Sequence, residues 1–239
     1  MTAQLPGIRW PETRWFDTLG VFDLETTGID VETSRIVSAN VGVIGPDGET
    51  IERWDWLADP GIEIPPQASA VHGITTERAR AEGRPAAEVV GEIITAIRSL
   101  FDRGLALTVY NAPYDLTLLN REAVRHRLEP LLDPSPIIDP LVIDKAVDRY
   151  RKGKRTLEAA AVVYGVDLTD AHDAASDAIA AGRVAQAMAA SRPAELAIDV
   201  MKLHRLQVGW SAEQSASFAA YMRRTHNPDF VETAGWPER

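Results

Sequence analysis

The sequence predicts an α/β fold: a mixed β-sheet flanked by helices, followed by a C-terminal helical hairpin. Three observations carry that expectation. Three successive runs rich in β-branched and aromatic residues open the chain, helical patterns then alternate with short apolar runs, and the C-terminal stretch reads as helix alone.

Taken in order, an arm over residues 1–16, bearing Pro and Trp, leads into strands expected at 21–24, 35–44 and 50–57, the last two joined at Pro46-Asp47-Gly48, a hairpin-type turn. A Pro-rich stretch, 59–66, follows. Pro85 opens a helix whose Val89, Ile93, Ile97 and Leu100 repeat at helical spacing. A fourth strand is expected at 105–110, and a helix at 113–127 with Pro113 in its first turn. After a short strand at 137–138 come helices at 140–150, at 156–164 with Gly165 as its stop, and at 173–190. Leu196, Val200, Leu203 and Leu206 mark a further helix ending at Gly209, and Ser211 with Gln214 forms a capping-box signature for another, running to Arg224. The divisions expected are the arm at 1–16, a core domain at 17–192 and a helical extension at 193–239.

With 239 residues, 45% hydrophobic and 25% charged, the composition excludes disordered and collagen-like chains. A net charge of −10 supplies no global positive field to gather a polyanion, so any nucleic-acid contact is local. The absence of cysteine removes disulfide frameworks and thiolate metal sites, and no apolar run approaches the roughly 18 residues of a spanning helix. Pro6, Pro11 and interspersed charge make the N-terminus unlike a signal peptide, so a cytoplasmic location with no membrane contact is expected.

Three short segments carry chemistry. The first strand ends in Asp23-Leu24-Glu25-Thr26-Thr27-Gly28, and the period of two puts the Asp23 and Glu25 carboxylates on one face. Two such carboxylates repel unless a cation lies between them, and hard oxygen donors suit Mg²⁺ or Mn²⁺. An Asp-x-Glu also fits a solvated strand face, but the end of a central strand is where α/β sheets gather ligands. A third acid, Asp115, stands in Asn111-Ala112-Pro113-Tyr114-Asp115 where a strand passes into a helix; there it also suits the helix dipole without any further role. In His172-Asp173-Ala174-Ala175-Ser176-Asp177, five residues of helix turn through about 140°, so His172 and Asp177 converge only if Asp173 is the N-cap and His172 lies in the preceding loop.

The order Asp-x-Glu-Thr-x-Gly, Asn-x-x-Tyr-Asp and His-x4-Asp resembles the DEDDh 3′–5′ exonucleases, the family that includes the proofreading epsilon subunit of bacterial replicative DNA polymerase, over roughly residues 17–190. Val71-His72-Gly73-Ile74-Thr75 and Thr156-Leu157 are similar to further family motifs. The resemblance implies a ribonuclease H-like mixed sheet and a two-metal site that releases nucleoside monophosphates from the 3′ end of single-stranded or frayed DNA. It implies Asp23, Glu25 and Asp177 as ligands of one Mg²⁺ or Mn²⁺, Asp23 bridging to a second that Asp115 supports, and His172 as the group that takes the water's proton. Leu24, Thr26, Thr27, His72 and Asn111 fall where family members grip the terminal nucleotide. A single-stranded 3′ end, DNA ahead of RNA, and a DNA polymerase are the partners it implies. A 3′ exoribonuclease and a catalytically idle binding subunit are the competing readings, the second opposed by the presence of all five catalytic positions. Tyr110 in place of a commoner His and Tyr114 in place of a commoner Phe depart from the pattern without removing a ligand.

Arg149 to Arg155, RYRKGKR, holds five cations in seven residues. It reads either as a solvated loop or as an edge that touches phosphates through Lys152, Lys154 and Arg155. Trp54 and Trp56 are expected under a helix, and Trp10, Trp15, Trp210 and Trp236 as anchors of the arms.

Overall fold

The computed structural model describes residues 14–168, 172–232 and 235–239. Strands β1 (Leu19–Thr26), β2 (Ile36–Ile44) and β3 (Thr50–Asp59) form an antiparallel ladder, with Asp23 opposite Asn40 and Glu25 opposite Ser38. Three two-residue strands complete the sheet: β4 (Arg84–Pro85) lies parallel to β3, β5 (Leu107–Thr108) parallel to β1, and β6 (Ile137–Ile138) parallel to β5. The resulting order, β4-β3-β2-β1-β5-β6, places β1 inside a mixed six-stranded sheet, as the sequence predicts.

Helices cover both faces. On one, α3 (Ala86–Asp102) and α4 (Ala112–Arg125) bury Val89, Ile93, Ile97, Leu116 and Leu119 against Phe22, Leu24 and Val41. On the other, α5 (Pro140–Val147), α6 (Leu157–Tyr164) and α7 (Ala174–Ser191) enclose Leu19, Val21, Ile44, Ile143 and Val184. Alternation along β1 is thus literal: Leu19 and Val21 face α7, Phe22 and Leu24 face α3 and α4, and Asp23 and Glu25 continue the α7 side beyond its apolar layer. The close approach of α7 depends on small residues. A Cβ at Gly182 would meet Val21 Cγ1 and Ile44 Cδ1 at 2.6 Å, closer than side chains tolerate.

The prolines between β3 and α3 open helices rather than only interrupting structure. Pro66 is the first residue of α1 (Pro66–His72), Thr75 caps α2 (Thr76–Glu82), and both helices are too short for a periodic pattern to show. Trp56 packs against the cluster on the α3 side and its Nε1 donates to Glu92 at 2.8 Å, whereas Trp54 is 37% exposed and lies outside that cluster. Trp15 anchors its arm through Nε1 to the Leu196 carbonyl at 2.7 Å; Trp10 lies outside the described residues.

The expected C-terminal hairpin is instead one long helix. After the single turn α8 (Pro193–Leu196), α9 runs unbroken from Val200 to Thr225. Gly209 does not stop it, because a glycine within a helix costs only about 1 kcal/mol relative to alanine and tertiary anchors lie on either side. Gln207 is fully buried, donating to the Ile137 carbonyl at 3.0 Å and accepting from the Asp139 N–H at 2.7 Å. Gln214, expected to close a capping box, donates to the Val142 carbonyl at 2.9 Å and ties α9 to α5.

Candidate active site

Carboxylate oxygens of Asp23, Glu25 and Asp177 all lie within 4.8 Å of one another. The first two come from the end of β1 and the third from the opening turn of α7. The N-terminus of α7 is built as the spacing requires: Asp173 is the N-cap and accepts from the Ser176 N–H at 3.0 Å, while His172 precedes it in the left-handed region at φ 70°. That bend lets the His172 N–H donate to Asp177 Oδ2 at 3.2 Å, so His172 and Asp177 meet although they cannot share a helix face. A non-glycine residue in that region carries strain of the kind that collects at functional sites.

Asp115 comes from the first turn of α4. It is 3% exposed and its Oδ1 accepts from the Leu24 N–H at 3.2 Å. Its helix starts from Asn111, also left-handed at φ 65°, a conformation asparagine tolerates better than most residues. Sequence reasoning missed what holds that start in place. Asp139, fully buried, accepts from the N–H groups of Asn111 and Ala112 at 3.0 Å each and from Trp236 Nε1 at 3.2 Å. The C-terminal tail therefore braces the segment that carries Asp115. Only a signal linking positions about a hundred residues apart could have revealed it.

The site is electrostatically loaded. Burial and the neighbouring charges of Asp115, Glu25 and Asp177 hold the Asp23 carboxyl well above the usual carboxylate range. Burial, then the charges of Asp177 and Asp173, push Glu25 up to about 8. Asp115 and Asp177 are raised by burial despite the backbone N–H groups that favour their charged forms. Among the described residues, Asp177 Oδ1 is buried with no hydrogen-bond partner. An unpartnered carboxylate oxygen beside two others is a cluster of hard donors that a divalent cation would satisfy, so the residues present fit Mg²⁺ or Mn²⁺.

A measurable consequence follows from Glu25. Its folded pKa of about 8 exceeds the unfolded value of 4.5, so the native state holds a proton that the unfolded chain has released. Its contribution to stability is complete below pH 4.5 and is lost as pH rises through about 8. In EDTA, Tm is expected to fall between about pH 5 and pH 8, and millimolar Mn²⁺ should restore it most at the alkaline end. A Mn²⁺ effect that is the same at both ends would contradict the cluster as its binding place.

The remaining expected contacts divide. His72 ends α1, and its Nδ1 accepts from the Ile74 N–H at 3.2 Å, so it shapes the turn as well as lining the site. It shares a cleft of about 370 Å³ with Glu25, His172, Arg53 and Arg78; the two arginines, which the sequence did not single out, bring positive charge there. Asn111 is exposed at the start of α4. Leu24 is buried, and the hydroxyls of Thr26 and Thr27 are taken up inside the protein. Thr26 Oγ1 meets the Tyr114 hydroxyl at 2.6 Å, and Thr27 Oγ1 accepts from the Arg35 N–H at 3.0 Å. Lys152 and Lys154 are exposed, but Arg155 corrects the expectation for the basic run. Its guanidinium turns inward to the buried Asp144, Nη1 to Oδ2 at 2.6 Å, and also donates to carbonyls at the end of α5, where a cation complements the helix dipole. Arg151 joins it on Asp144, and the Tyr110 hydroxyl donates to the Arg155 carbonyl at 2.7 Å. A further neighbour emerges at Glu158 on α6, whose Oε1 lies 3.8 Å from His172 Nε2.

The model of the RNase_T family, described as exonuclease, matches residues 21–185. The chain belongs to that exonuclease family. The match spans most of β1 through most of α7 and so includes all four acids and His172. Among curated relatives it is 29% identical over 168 residues to a DNA polymerase III PolC-type protein of Streptococcus thermophilus, covering 70% of this chain and 11% of that one. It is 29% identical over 158 residues to the DNA polymerase III epsilon subunit of Treponema pallidum, covering 66% of this chain and 69% of that one. The chain thus spans only about a tenth of the PolC-type relatives. E. coli exonuclease I in complex with a dT13 oligonucleotide superposes with a TM-score of 0.64 at 21% identity, over 74% of this chain and 42% of that one. This likeness shows the fold, the ribonuclease H-like sheet that the resemblance implied. Among the described residues, no helix is long and apolar enough to cross a membrane.

Proposed function

We propose that the chain removes nucleoside monophosphates one at a time from the 3′ end of single-stranded or frayed DNA, using two divalent cations, Mg²⁺ or Mn²⁺. The observation that carries this reading is the convergence of the Asp23, Glu25 and Asp177 oxygens within 4.8 Å, with Asp115 hydrogen-bonded to the same strand. Asp23, Glu25 and Asp177 would hold one cation, and Asp23 with Asp115 the other. When bound, the pair supplies charge stabilisation for the attacking and leaving oxygens of an in-line displacement at phosphorus.

The chain's own side chains do the rest. His172 stands in its loop beside Asp177, exposed enough to reach a water, and its imidazole accepts the water's proton as attack proceeds. Glu158 lies close enough to favour the imidazolium that results. His72 shares the cleft of Glu25 and Asn111 opens the helix that carries Asp115; both would grip the terminal nucleotide, with Leu24, Thr26 and Thr27 shaping the floor. The exposed Lys152 and Lys154 would meet backbone phosphates. Residues 17–192 would form the exonuclease domain and 193–239 an extension of it. The similarity to polymerase III subunits favours DNA as substrate, a polymerase as partner and a cytoplasmic site of action.

Single-stranded DNA, duplex DNA and RNA, each labelled at the 5′ end and incubated with Mg²⁺ or EDTA, check the reading. Stepwise shortening of single-stranded DNA in Mg²⁺ alone is the expected result. Immediate release of labelled mononucleotide would reverse the polarity, preference for RNA would reassign the polymer, and no Mg²⁺-dependent shortening of any strand would contradict the function.

A further inference from the structure

We propose that a groove between α5 and α9 binds single-stranded nucleic acid upstream of the nucleotide being removed, through phosphate contacts at Lys145 and Arg149 and stacking on Phe218 and Tyr221. This inference rests on the exonuclease reading of the carboxylate cluster and extends it to a surface lying mostly outside the family match, since α9 begins after residue 185.

Four observations lead there. First, the groove reaches the start of α4, the helix that carries Asp115: a small pocket lined by Asn111 and Pro113 also includes Lys145, Gln214 and Phe218, and those three line the larger pocket of about 670 Å³ beyond it. A strand whose 3′ nucleotide is gripped at Asn111 therefore has a continuous trough to follow. Second, the larger pocket is lined by four cations, Lys145, Arg149, Arg151 and Arg155, against a single acid, Glu213. Arg151 and Arg155 are committed to Asp144, but among the described residues Lys145 and Arg149 have no carboxylate within 4.0 Å. On a chain of net charge −10, these two add to the local positive surface that a polyanion needs.

Third, the wall facing those cations is aromatic. Trp210, Gln214, Phe218 and Tyr221 repeat at spacings of four, four and three, which is one face of a helix. The same face is buried at Leu203 and Gln207, yet Phe218 and Tyr221 remain 48% and 46% exposed. Phe230 packs edge-on against Phe218 with ring centroids 5.7 Å apart and steadies that ring. Fourth, cations opposite exposed aromatic rings are the combination by which proteins hold single strands without reading sequence, phosphates on the one and bases on the other.

Anisotropy of 5′-fluorescein-labelled dT12 and dT3, measured in EDTA across a range of salt, tests the groove apart from the metal site. The parent is expected to bind dT12 well ahead of dT3, which is too short to occupy both regions. The Lys145→Ser/Arg149→Ser variant should weaken dT12 binding about tenfold and flatten its salt slope by about 1.4, at about 0.7 for each lost phosphate contact. Phe218→Ser should weaken it about tenfold with the slope retained, as lost stacking requires. Both variants should weaken dT3 binding far less than dT12 binding. If both bind dT12 as the parent does, the groove inference is overturned and the surface is better assigned to a protein partner. Cleavage of dT3 by the parent in Mg²⁺ is scored separately: its absence counts against the exonuclease reading, while its presence with unaltered dT12 binding in the variants counts against the groove alone.

Discussion

Asp177→Asn should abolish hydrolysis, with kcat lowered by about 10³-fold or more, while the protein stays folded and, without metal, becomes more stable at alkaline pH than the parent. The first effect follows from losing a ligand to a cation that supplies several kcal/mol of transition-state stabilisation, at about 1.4 kcal/mol for each factor of ten. The second follows from the cluster itself. Asp177 raises the pKa of Asp23 and Glu25 by its charge, so removing it relieves a repulsion that the native state carries whenever no cation is bound. Asp23→Asn should behave alike, because in the proposed site Asp23 would serve both cations. Rates and Tm in EDTA, measured on the same preparations near pH 8, check both effects. Near-normal turnover in either variant would remove the acids from the chemistry, and a Tm below the parent's would show that they stabilise the fold instead.

His172→Ala should lower kcat by about 10²-fold or more while changing the Mn²⁺ affinity little, the pattern of a lost general base. Turnover of the variant near the parent's would assign the proton transfer to another group. Because His172 donates to Asp177 through its backbone N–H, the alanine variant keeps that hydrogen bond and separates the imidazole from the positioning of the acid.

Much of this site was legible in the sequence because it rests on short-range rules. The period of two along β1 places Asp23 with Glu25, and the N-cap at Asp173 explains how His172 and Asp177 meet. What the sequence hid was settled by distant partners. Gly209 and the Ser211/Gln214 pair carry genuine local signals for a break, yet Gln207 and Gln214 hold one helix across them through contacts with segments some seventy residues away. Arg155 looked free because its neighbours in sequence are cations, whereas Asp144, eleven residues earlier, claims its guanidinium. Thr26 and Thr27 looked available to substrate, but Tyr114 and the Arg35 N–H already hold their hydroxyls. The bracing of α4 by Asp139 and Trp236 joins three stretches that no local pattern connects.

Anomalous diffraction at the manganese edge, from crystals grown in Mn²⁺, would locate the cations that the whole reading requires. Two peaks are expected, one among the Asp23, Glu25 and Asp177 carboxylates and one between Asp23 and Asp115, with both missing in crystals of Asp23→Asn. Ordered Mn²⁺ found only elsewhere on the parent protein, with the three carboxylates unbridged, would contradict the assignment of this cluster as the catalytic centre.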